Sequence, residues 1–185
     1  MSKPASHSHE PLLLDAGSLG RLEFTWTGDR YRHDWVPAGS DSPALSSLES
    51  ESDAVWPGSP PLQQVHLQSF DDGREVIFGV GMSGRGHWSA SFTMVPELHS
   101  WIVEFACRSP LVPEHLGALY ELAGDWSEQG TGRHYRWSGG EAHLEPISPS
   151  LMKSTEPGLI NLLPGHLPSS APSTTQWAYR LKISR

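Results

Sequence analysis

Positive charge is scarce in this chain, and lysine is its scarcest form: only Lys3, Lys153 and Lys182 occur. Lysine and arginine together number 13 against 21 acidic residues, for a formal net charge of -8. A nucleic-acid binder needs a basic stripe to displace counterions from phosphates, and no such stripe is visible. The same shortage disfavours an anionic membrane surface. Nucleic acid and membrane are therefore not expected as partners.

Cysteine is nearly absent as well. Cys107 stands alone, which excludes an internal disulfide and fits a reducing compartment. It ends an alternating run in phase with Trp101, Val103 and Phe105, so a buried small hydrophobe is expected rather than a catalytic thiol. Long apolar runs are missing too. Leu12 to Leu14 is too short for a signal-peptide core, and no 18-residue apolar segment occurs. The expectation is a soluble, cytoplasmic protein. No repeat of fixed period is found.

What the chain does have is 18 glycines, 16 prolines and eight tryptophans. That mixture suits short strands joined by turns better than a helical bundle. Arg21 to Val36 reads as a hairpin about Gly28-Asp29: Leu22, Phe24 and Trp26 alternate going out, and Tyr31, His33 and Trp35 alternate coming back. Leu62 to Phe70, Glu75 to Met82, His87 to Val95 and Ser100 to Cys107 follow with short connections, the pattern of an antiparallel meander. Leu116 to Ala123 fits either period and is assigned to strand. Tyr135 to Trp137 and Ala142 to Ile147 form another hairpin about Ser138-Gly139-Gly140, and Gln176 to Ser184 closes the chain with Trp177, Tyr179, Leu181 and Ile183 in phase.

The expected molecule is a single all-β domain over residues 1–185, an antiparallel β-sandwich or barrel of about nine or ten short strands. A flexible arm is expected at 1–18. Irregular Pro/Ser-rich loops are expected at 37–61, as a mobile loop, and at 146–174. Monomer or weak homodimer is the expected state.

Several patterns suggest chemistry and then fail a structural requirement. Gly79, Gly81 and Gly84 satisfy G-x-G-x-x-G, but the dinucleotide version needs a helix after it, and a strand-like HWSASFTM follows. Gly81 to Arg85 misses the nucleophile elbow because Arg85 takes the second glycine's place. The mechanical alternative is that Gly79 and Gly81 admit a close neighbour, while Gly84 and Gly86 allow positive φ in a turn. Ten histidines raise a metal site, yet His7 and His9 are the only close pair, and His33, His66, His87, His134 and His143 lie on separate strands. No metal and no cofactor are expected. The tryptophans raise a carbohydrate-stacking face, but Trp26, Trp88, Trp101, Trp137 and Trp177 fall in the apolar phase and are expected in the core. Trp56 is the one that packing explains least.

The turn bearing Arg85 and His87 is different, because a polar turn requires neither residue. Arginine offers a planar fork of donors for a carboxylate or phosphate, and histidine beside it holds an anion or moves a proton. Glu104 and Arg108 share a face of the neighbouring strand, within pairing reach of His87, Ser89 and Ser91. The leading expectation is a binding module for a small polar or anionic ligand, held by Arg85, His87, Ser89 and Arg108. Its competitors are an enzyme with His87 as general acid or base oriented by Glu104, and a protein-interaction domain with an exposed aromatic patch. Against all three stands a plain solvated outer face.

Overall fold

A computed structural model describes residues 9–51 and 53–184. The chain weaves between two antiparallel sheets. Strands β1 (Leu12–Asp15), β2 (Arg21–Trp26), β3 (Tyr31–Val36) and β4 (Leu45–Ser47) lie side by side in the first sheet. The chain then crosses over and lays down β5 (Gln64–Ser69), β6 (Glu75–Ser83), β7 (Gly86–Val95) and β8 (Ser100–Ser109) as a meander in the second. β9 (Ala118–Leu122) returns to the first sheet, and β10 (Trp126–Gln129), β11 (Gly132–Trp137) and β12 (Gly140–Ile147) to the second. The hairpin β13 (Leu151–Glu156) and β14 (Leu159–Leu163) joins the first, and β15 (Ser173–Ser184) inserts between β12 and β8.

The seven-stranded sheet therefore runs β1-β2-β3-β4-β9-β14-β13, and the eight-stranded sheet β10-β11-β12-β15-β8-β7-β6-β5. Each keeps two edges, so the architecture is sandwich-like and the barrel alternative falls away. No helix among the described residues is long and apolar enough to cross a membrane.

Alternation explains which face of each strand is covered. On β7, Trp88, Ala90 and Phe92 are buried; on β8, Trp101, Val103, Phe105 and Cys107; on β15, Trp177, Tyr179, Leu181 and Ile183. These meet Leu22, Phe24, Trp35, Tyr120, Ile160 and Leu162 of the other sheet in one core. Each valine, leucine, isoleucine or phenylalanine among them contributes about 1.5–3 kcal/mol by leaving water. Of the tryptophans expected inside, Trp88, Trp101 and Trp177 are buried, whereas Trp26 and Trp137 are only partly buried and pack against the cluster from its margin, as Trp56 does from its loop. Cys107 is buried as expected.

The glycine pattern of β6 has a mechanical cause. A Cβ on Gly81 would lie 1.6 Å from the Pro61 carbonyl oxygen, and one on Gly79 would lie 3.0 Å from Leu62 Cδ1. The segment leading into β5 crosses β6 at that point, with Gln63 N–H donating to the Val80 carbonyl at 2.8 Å. Gly84 takes the expected positive φ, 55°. Gly86 does not; its Cβ would instead crowd Trp88 Nε1 at 3.1 Å and Cys107 Sγ at 3.4 Å.

Among the described residues, fifteen strands replace the nine or ten expected. The additional ones lie where alternation is weak. Of the arm expected at 1–18, residues 1–8, and His7 with them, lie outside the described residues, whereas β1 pairs with β2 from Leu12 to Asp15. His9 stacks on Trp26, ring centroids 3.5 Å apart. The 37–61 segment contains β4 and is strapped to β9: Leu48 N–H donates to the Leu119 carbonyl, and Ser59 Oγ accepts from Leu119 N–H at 3.0 Å. The 146–174 segment contains the β13–β14 hairpin, whose strand β14 pairs with β9 through Leu159 to Leu162.

Candidate functional site

Ser83 and Gly86 close the β6–β7 hairpin, leaving Gly84 and Arg85 at its tip. Arg85 is exposed there. Because Trp88, Ala90 and Phe92 point inward, strand geometry sends His87, Ser89 and Ser91 to the outer face. On β8 the same rule sends Arg108, Ala106 and Glu104 outward. The pairing register then sets the neighbours: His87 faces Arg108, Ser89 faces Ala106, and Ser91 faces Glu104. Thr174 of β15 stands on the far side of Arg108.

Arg85, His87 and Arg108 border one open depression of about 630 Å3, completed by Met82, Gly84, Ser109, Pro110 and Pro172. A second, of about 550 Å3, shares Met82, His87 and Arg108 with it and adds Ser89, Ala106, Gln63 and Val80. The four residues expected to hold a ligand thus border two adjoining depressions.

The electrostatics of this corner differ from those of every other arginine among the described residues. Arg21, Arg30, Arg32, Arg74, Arg133, Arg136 and Arg180 each lie within 3.9 Å of a carboxylate. Arg85 and Arg108 have no such partner among the described residues. With acidic residues in excess, two uncompensated guanidinium groups at one depression form a local positive site in a negative molecule.

Glu104 is elsewhere. It faces Ser91, whose Oγ donates to its carboxylate at 3.2 Å. That row is four residues along from His87, ~13 Å at the strand rise, beyond hydrogen-bond reach. The register does not bring the expected acid–base pair together. Nor is there an aromatic surface patch: the large hydrophobic side chains exposed among the described residues are all aliphatic, Val80 and Met82 included. His134 and His143 instead approach single carboxylates, Glu141 at 3.1 Å and Glu145 at 3.7 Å.

A second polar constellation lies inside the sandwich. His33 of β3 is buried against Phe24, Phe92 and Phe105. Its Nε2 is 2.6 Å from the Tyr120 hydroxyl, which is 2.9 Å from that of Tyr179 on the opposite sheet. The His33 backbone N–H donates to Ser47 Oγ at 2.9 Å, and Ser47 Oγ donates to Glu49 Oε1 at 2.7 Å. Arg30, buried beside them, forks onto Asp29 through Nε and Nη2 at 3.0 and 2.6 Å.

Burial governs how these groups titrate. Loss of water, reinforced by the Arg32 charge, brings His33 down to about 3. Loss of water pushes Glu49 up to about 7 against the opposing hydrogen bond from Ser47. The Tyr120 and Tyr179 hydroxyls are raised by the same cause and stay protonated. One clue to this chain was available beforehand: His33 shares the phase of Tyr31 and Trp35, which marks it as inward. Arg30 and Glu49 carry no comparable signal, since both sit in irregular connections.

No family model matches this chain, and no curated protein matches it either.

Proposed function

We propose that this protein is a binding module for a small anionic ligand, held at the tip of the β6–β7 hairpin by Arg85 and Arg108 with His87 between them. One observation carries the proposal: these two arginines alone, among the described arginines, lack a carboxylate partner, and they border the same depression. An anion there gains charge-assisted hydrogen bonds without breaking an existing ion pair. Ser89 extends the polar rim into the adjoining depression.

Titration calorimetry with inorganic phosphate and with succinate tests it. Wild type should bind at least one of them, more weakly as salt is raised. Arg85→Ala and Arg108→Ala should each weaken binding about tenfold, equivalent to ~1.4 kcal/mol. Unchanged affinity in the double variant would remove the proposal.

A further inference from the structure

The outer face of the second sheet continues beyond the arginine corner, and its chemistry changes along the strands. The depression shared by His87, Ser89 and Arg108 meets a third, of about 440 Å3, at Ser89 and Ala106. This third one is bordered by Ser91, Glu104, Gln176 and the Ser148–Ser150 loop. Three cross-strand rows therefore make one trough: His87 with Arg108, Ser89 with Ala106, and Ser91 with Glu104. The first row is cationic, the middle row is small, and the last presents a carboxylate.

Glu104 is exposed, and among the described residues no basic side chain pairs with it. One of its oxygens accepts from Ser91 Oγ at 3.2 Å, which leaves acceptor capacity on the other. The middle row offers no obstruction, because neither Ser89 nor Ala106 has a side chain long enough to rise between the two ends. A ligand lying along β7 and β8 thus meets donors at one end and an acceptor at the other, ~13 Å apart.

Resting on the anion site proposed above, we infer that the ligand is an extended zwitterion, an unblocked peptide of about four residues at ~3.3–3.6 Å per residue. Its terminal carboxylate lies at Arg85 and Arg108, and its terminal ammonium lies at Glu104. The small middle row receives the peptide backbone between them.

Calorimetry on the full chain with tetraglycine, N-acetyl-tetraglycine, diglycine and inorganic phosphate tests this inference. Tetraglycine should bind roughly five- to tenfold tighter than its acetylated form, which lacks the ammonium. Diglycine, too short to span the trough, should match the acetylated peptide. Glu104→Gln should erase the advantage of tetraglycine while leaving phosphate affinity unchanged. Equal binding of tetraglycine and its acetylated form, with phosphate still bound, would overturn the zwitterion and leave the anion site standing. Failure of phosphate and every peptide to bind would overturn both.

Discussion

Trp35 and Trp101, on opposite sheets, donate their indole N–H groups to the same carbonyl oxygen, that of Leu19, each at 3.0 Å. A carbonyl has two lone pairs and can accept both. Leu19 ends the short 3-10 turn between β1 and β2, so this one oxygen ties a connection and both layers of the sandwich together.

Removing one indole leaves that carbonyl satisfied; removing both strands it in the core. Trp35→Phe and Trp101→Phe should each cost about 1–3 kcal/mol through lost volume and one lost hydrogen bond. The double variant should cost more than the sum, by ~1 kcal/mol. Urea unfolding of all four proteins measures the coupling, and strict additivity would show that the shared acceptor is energetically unimportant.

The buried polar chain makes stability depend on pH in two opposing ways. His33 is depressed from 6.5 to about 3, so its contribution is complete above 6.5 and is lost as pH falls toward 3. Glu49 is raised from 4.5 to about 7, so its contribution is complete below 4.5 and is lost as pH rises through 7. Between those unfolded values the two slopes oppose. Arg30 and Arg32 also act on Glu49 by lowering it, and Asp29 by raising it. In Glu49→Gln the opposition is gone, and stability should rise with pH there by up to ~1.4 kcal/mol per pH unit. His115 is also lowered by burial and adds to the slope in both proteins, so denaturant midpoints at about pH 5 and pH 6 are compared between them; a variant with the same pH slope as wild type would refute the assignment.

Gly81 is a point of contact between two stretches of backbone. Gly81→Ala must displace the Pro61–Gln63 crossing, because the Pro61 oxygen cannot retreat as a flexible side chain would. A loss of about 1–3 kcal/mol is expected. Gly79→Ala meets only the end of Leu62 and should cost less. Thermal unfolding of the pair should rank them in that order; the reverse ranking would mean the crossing moves freely.

Cys107 should be chemically silent in the folded protein. Its thiol is raised to about 11 by loss of water, and thiolate is the reactive form. A disulfide reagent at about pH 8 should react no faster than the chain unfolds, and rapidly once urea is added. Fast reaction without denaturant would show that the β7–β8 end opens readily.

Alternation made β6, β7, β8 and β15 legible, because each buries one full face and leaves the other wet. The same phase marked His87, Ser89 and Arg108 as outward residues before their register was known. β10 and β13 were not legible. Their residues are mostly exposed, so no apolar period distinguishes them from loop. The Pro/Ser-rich segment at 37–61 suggested mobility for a related reason: Pro57, Ser59, Pro60 and Pro61 are buried by what crosses them, and composition carries no record of crossing.

By itself, then, the sequence determined the class of fold, the inward or outward sense of the strong strands, and the burial of Cys107, Trp88, Trp101 and Trp177. Those properties follow from a period of two residues and from the partition of apolar side chains out of water, and both are local. Tertiary structure decided which strands share a sheet, that the sandwich stays open, and that His87 meets Arg108 while Glu104 stands four residues away. It also decided that His33, Tyr120 and Tyr179 join in one buried chain. Each of these depends on register between strands distant in sequence, where a shift of one residue exchanges the buried and exposed faces.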